Sequence, residues 1–87
     1  MAWTVSFDPR ALKELEKLER TVQRRIVSLL QRLQGGGDPR KSGKPLHGER
    51  AGLWRYRIGN YRIICSVEDT ASIFRVMRVG HRKGVYR

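Results

Sequence analysis

The stretch LWRYRIGNYRI, Leu53 to Ile63, places Arg55, Arg57 and Arg62 on either side of Gly59-Asn60, with no carboxylate among them. Apolar and basic residues alternate through it, which marks a strand with one wet face. A two-residue turn fixes the pairing of the strands it joins. Residue 58 then faces 61, 57 faces 62, 56 faces 63, 55 faces 64 and 54 faces 65. Arg57 and Arg62 become direct neighbours, with Cβ atoms about 4.5–5.5 Å apart. Arg55, Ile64 and Ser66 share their face, while Trp54, Tyr56, Ile58, Tyr61, Ile63 and Cys65 fall on the other as core material. Like charges directly opposed cost a sheet some tenths of a kcal/mol up to about 1. A solvated face bears that cost by splaying its side chains; a phosphate would relieve it and match guanidinium geometry. The anion site is the preferred reading, and register alone reaches anion binding rather than catalysis.

A second cluster closes the chain. GHRKGVYR, residues 80–87, supplies His81, Arg82, Lys83, Tyr86 and Arg87. A phenol, an imidazole and three cations are what an RNA site uses for base stacking, proton transfer and phosphate clamping. A basic, frayed terminus has the same composition, so the tail by itself leaves both readings open. Elsewhere the chemistry is thin. Cys65 is the lone cysteine, set in the apolar string YRIICSV with no base in the pattern, and is expected to be a buried, reduced thiol. His47 has no second metal-type ligand at useful spacing and reads as a solvated loop residue. No metal site and no cofactor are expected.

The frame that must position these groups is small. The chain has 87 residues, 39% of them hydrophobic, enough for one domain (1–87) with a single modest core. No apolar run approaches the roughly 18–20 residues that span a bilayer, and neither helix pairs a basic face with a bulky aromatic one. No secretory leader opens the chain, so a cytoplasmic location is expected. Nineteen Lys and Arg against eight Asp and Glu leave a net charge of +11, which favours a polyanionic partner. Residues 53–87 carry eight of those bases and two of the acids, a net +6.

Residues 3–7 read as a first strand. Asp8 is the expected N-cap and Pro9 the first residue of a helix whose Ala11, Leu12, Leu15 and Leu18 recur at helical spacing. Thr21 can cap a second helix, with Val22, Ile26, Leu29, Leu30 and Leu33 as its apolar stripe and Arg24, Arg25 and Arg32 mostly off it. The glycines at 35–37 stop it, and the short break between the helices predicts an antiparallel hairpin. Residues 35–52 read as a loop pinned by Leu46. Strands follow at Leu53–Ile58, 61–67 and 72–79. The last is apolar at both parities and is therefore expected to be central. The fold class is α+β: an N-terminal strand, a two-helix hairpin, then an antiparallel three-stranded meander with the helices on one sheet face.

KPLHGERAGLWRYRIGNYRIICSV followed by VMRVGHRKGVYR, with FDPRALKELEKL at the start, resembles the RelE branch of the RelE/ParE superfamily of bacterial toxin–antitoxin toxins. The resemblance implies a metal-independent, ribosome-dependent endoribonuclease that cuts mRNA in the 30S A site by 2′-hydroxyl attack, with a cognate antitoxin as partner. It implies a RelE-like fold and a site made of Arg55, Arg57, Arg62, Arg82 and Tyr86. Lys44, Lys83 and Arg87 would bind substrate. Members of this branch look to carry lysine on the first hairpin strand, where this chain has arginine, a very poor base. His81 or Tyr86 is therefore expected to take the proton. The sequence ends one residue after Tyr86, so antitoxin control is expected through covering the basic face or its neighbouring groove rather than displacing a C-terminal helix. A ParE-like gyrase inhibitor and a non-catalytic RNA- or ribosome-binding module are the alternatives.

Overall fold

The computed structural model describes residues 3–81. Five strands form one mixed sheet in the order β1-β5-β4-β3-β2, with β1 at Thr4–Phe7, β2 at Lys44–Pro45, β3 at Leu53–Ile58, β4 at Tyr61–Glu68 and β5 at Ile73–His81. β3, β4 and β5 are the antiparallel meander that the alternation predicts, and β1 pairs with β5 in parallel. Between β1 and β2 the chain forms α1, Pro9–Glu16, and α2, Arg20–Gly35.

Asp8 caps α1 as expected, its carboxylate accepting from the Arg10 N–H at 2.9 Å, with Pro9 in the first turn. α1 ends earlier than its apolar spacing suggests, so Leu18 lies in the connection. The Gln23 side-chain amide of α2 donates to the carbonyls of Leu15 (2.9 Å), Leu18 (3.1 Å) and Glu16 (3.3 Å). One amide thus ties the last turn of α1 and the connection after it to α2. Thr21 is not the cap of α2. The helix starts a residue before it, behind Glu19, which makes no side-chain capping bond.

Both helices lay their apolar residues on one face of the sheet. Ala11 and Leu15 of α1 and Ile26, Leu30 and Leu33 of α2 pack with Tyr56, Ile58, Ile63, Cys65, Phe74, Val76 and Val79. The fold expectation holds, with two corrections. Residues 35–52 are not merely a loop: they contain two short 3₁₀ turns, Pro39–Ser42 and Gly48–Arg50, and the two-residue strand β2 at the sheet's outer edge. The buried Tyr56 hydroxyl donates to the Pro39 carbonyl at 2.7 Å, and Gly43 lies so close to the Tyr56 ring that a Cβ there would stand 2.8 Å from it. That contact holds the segment against β3.

The second correction concerns β5. It is interior but not central, since β4 holds the middle of the sheet. Its double parity has a different cause, a bulge: Cys65 pairs with Val76, while the preceding residue, Ile64, pairs with Arg78. Met77 is the extra residue. The inward side therefore passes from Val76 to Val79.

Candidate phosphate-binding site on the open sheet face

The β3–β4 hairpin has the register that its turn dictates: Ile58 faces Tyr61, Arg57 faces Arg62, Tyr56 faces Ile63, Arg55 faces Ile64 and Trp54 faces Cys65. Gly59 adopts φ 57°, the left-handed conformation a tight hairpin turn needs at its first position. Two rows of side chains follow on the face away from the helices. One runs Lys44, Arg55, Ile64, Arg78 across four strands, and the next runs Arg57, Arg62, Gly80. Gly80 contributes no side chain to this row.

Ile64 is 2% exposed yet stands outside the helix-side core. Its direct cross-strand partners are Arg55 and Arg78, whose methylene stems can cover apolar surface while the charged heads reach outward. The Nε atom of Arg55 is buried and meets no hydrogen-bond acceptor, and Arg62 Nε is buried as well. A buried donor left unsatisfied costs about 1–3 kcal/mol, and an oxyanion on this face would remove that cost.

Ion pairing sorts the arginines. Arg78 donates to both carboxylate oxygens of Glu14, at 3.0–3.2 Å. Arg75 lies 3.5 Å from Glu68, and Arg40 pairs with Asp38 and Asp69. Among the described residues, Lys44, Arg55 and Arg57 form no such pair. These three cations thus keep their charge for another partner. Burial raises the Glu14 carboxyl, but the Arg78 bonds, the Val79 N–H and the charge of Arg10 outweigh it and hold the group below the usual glutamate value.

His81 falls on the opposite face of the sheet from Arg57 and Arg62. It pairs with Tyr61, on the face of Ile58, and the two rings meet edge-on with centroids 5.7 Å apart. Arg82, Lys83, Tyr86 and Arg87 lie outside the described residues. Cys65 is buried and free, and burial pushes its thiol well above the usual range, so it remains a protonated core residue. Among the described residues no three His, Cys, Asp or Glu side chains stand together as metal ligands. Sequence reasoning did propose Lys44, but not its position opposite Arg55, because a two-residue strand containing proline has too little pattern to read. It placed Arg24, Arg25 and Arg32 only as lying mostly off the apolar stripe of the second helix, and assigned them no role.

These features agree with relatives of known kind. A model of the family described as the ParE toxin of the type II toxin–antitoxin system parDE matches residues 5–86. The chain belongs to the RelE/ParE family of type II toxin–antitoxin toxins. Within it, the chain is 33% identical over 91 residues to Toxin RelG of Mycobacterium tuberculosis, an alignment covering 100% of this chain and 99% of that one. A toxin–antitoxin complex, RelBE, from the same organism contains a chain with TM-score 0.73 and 32% identity, covering 94% of this chain and 100% of that one. The intact E. coli RelBE complex gives TM-score 0.76 at 27% identity, covering 92% and 96%. The toxin is thus of RelE type in both sequence and fold.

Proposed function

We propose that this toxin is a ribosome-dependent mRNA endoribonuclease, acting in the cytoplasm on the codon in the 30S A site and restrained by a cognate antitoxin. The observation that carries the reading is the hairpin face: Arg55, Arg57 and Arg62 stand on one side of the sheet, Arg55 and Arg57 form no ion pair among the described residues, and the Arg55 Nε is buried and lacks an acceptor. In the proposed reaction the 2′-hydroxyl loses its proton and attacks the adjacent phosphorus. The P–O5′ bond breaks, leaving a 2′,3′-cyclic phosphate and a 5′-hydroxyl. Negative charge gathers on the non-bridging oxygens, where fixed guanidinium groups each contribute a few kcal/mol without a metal. Arg55, Arg57 and Arg62 hold that phosphate, Arg82 stabilises or protonates the departing 5′-oxygen, and Tyr86 orients the neighbouring base. His81 stands with Tyr61 on the opposite face of the sheet from the arginines, which favours Tyr86 over His81 for taking the proton. His81→Ala and Tyr86→Phe measured across pH divide the roles.

The test is incubation with programmed ribosomes carrying mRNA in the A site, followed by end-group analysis. Fragments with 5′-hydroxyl ends are expected from the wild type and none from Arg62→Ala or Arg82→Ala, with circular dichroism unchanged. Absence of cleavage by the wild type would sink the proposal. The ParE name of the matching family favours one second reading, inhibition of DNA gyrase. Loss of supercoiling with intact mRNA after induction would establish that reading instead; intact mRNA and intact supercoiling would leave a non-catalytic binder.

A further inference from the structure

β2 covers β3 only as far as Arg55, so the outer edge of β3 from Tyr56 to Ile58 has no strand beside it among the described residues. A groove of about 370 Å³ lies there, between that edge and α2. The helix contributes Arg24, Arg25, Ser28 and Arg32, and the hairpin contributes Arg57, Ile58 and Gly59. Arg24, Ser28 and Arg32 follow at intervals of four, one stripe about 12 Å long at 1.5 Å per residue. Arg25 reaches across to the turn, its guanidinium nitrogens 3.5–3.6 Å from where a Gly59 Cβ would stand. None of the four arginines forms an ion pair among the described residues.

We infer that this groove is a second phosphate track, in which Arg24, Arg25 and Arg32 hold the sugar–phosphate backbone of RNA beside the hairpin face. Arg57 belongs to both surfaces, so a backbone seated in the groove continues to the arginines of β3 and β4. The lining selects the partner. A protein interface has a core depleted of charge and rich in apolar anchors, whereas this groove offers four guanidinium groups, a hydroxyl and a single isoleucine. An acidic peptide would have to desolvate those cations with little apolar gain. Phosphates neutralise them and release counterions. The lining contains no aromatic ring on which a base could stack. The track therefore adds affinity and orientation but no sequence preference. The inference depends on the proposed nuclease activity only for preferring RNA to another polyanion.

The test uses the full chain carrying Arg24→Gln, Arg25→Gln and Arg32→Gln together, substitutions compatible with an exposed helix, beside a triple Arg→Lys protein. Binding is measured from 0.1 to 1 M salt against a 2′-O-methyl RNA oligonucleotide, which cannot be cut, and against 30S subunits without message. Loss of three phosphate contacts lowers the salt slope by about 2 and weakens binding about 100-fold at 0.1 M, with convergence near 1 M. The lysine protein is expected to keep most of the slope. Loss confined to the oligonucleotide assigns the track to the message, and loss confined to 30S subunits assigns it to ribosomal RNA. An unchanged slope on both RNAs with the fold intact, or a loss seen only with poly-glutamate, overturns the inference. Because no step requires cleavage, a failed nuclease assay leaves the binding result standing.

Discussion

Arg57 and Arg62 stand directly opposed one pair away from the turn of the hairpin, and Arg57 is exposed. Thr or Glu at position 57 would serve the fold better, so the pair works against stability. Arg57→Thr is therefore expected to raise stability by some tenths of a kcal/mol up to about 1 while reducing growth inhibition. Urea unfolding reads the first effect and induction in a host without antitoxin reads the second. A lower unfolding midpoint would show that Arg57 supports the fold instead. The opposition itself was legible in the sequence, because a two-residue turn leaves one register. Which of the cations are neutralised was not. Arg78 finds Glu14 across 64 positions, and Lys44 comes to Arg55 through a strand two residues long. Such pairings depend on tertiary placement rather than on local periodicity.

At the scale of elements, β5 depends on a contact that no strand supplies. β1 pairs with β5 only from Ile73 to Val76, and beyond that the edge of β5 meets α1. There Glu14 accepts the Val79 N–H at 3.0 Å and both Arg78 donors, just past the bulge. A carboxylate thus takes the place of a strand partner at the point where the inward parity of β5 changes. The pH dependence follows from the sign of the shift. The Glu14 carboxyl ionises below its ordinary value of about 4.3 in the folded state. Its contribution is complete above that ordinary value and is lost as pH falls through the lowered one. Glu14→Gln is expected to cost about 1–2 kcal/mol at pH 7 and to narrow the gap from wild type as the pH drops below 4. Urea titrations at pH 7 and pH 3 check this; a gap of equal size at both would remove Glu14 from the account. The elements were mostly legible from turn chemistry and apolar spacing. The bulge was not, because an extra residue makes an interior strand look apolar on both sides, the pattern also expected of a central one.

Across the whole molecule, nineteen bases against eight acids give +11 on 10.1 kDa, and among the described residues Arg40, Arg75 and Arg78 are engaged in ion pairs. Lys44, Arg55 and Arg57 on the open sheet face, and Arg24, Arg25 and Arg32 in the α2 groove, form no ion pair among the described residues. A compact state with that imbalance repels itself, and an anion that binds it stabilises it by mass action. Inorganic phosphate is accordingly expected to raise the melting temperature more than chloride at equal ionic strength. Phosphate also strengthens burial generally, so the comparison that isolates the site is wild type against Arg55→Gln. The general effect persists in the variant, while the part due to the Arg55 guanidinium and its buried Nε disappears. At a phosphate concentration ten times Kd the site contributes about 1.4 kcal/mol, several degrees in a domain of this size. Thermal melts in matched phosphate and chloride buffers supply the measurement. An identical phosphate gain in both proteins would mean that the hairpin arginines hold no phosphate in the free toxin.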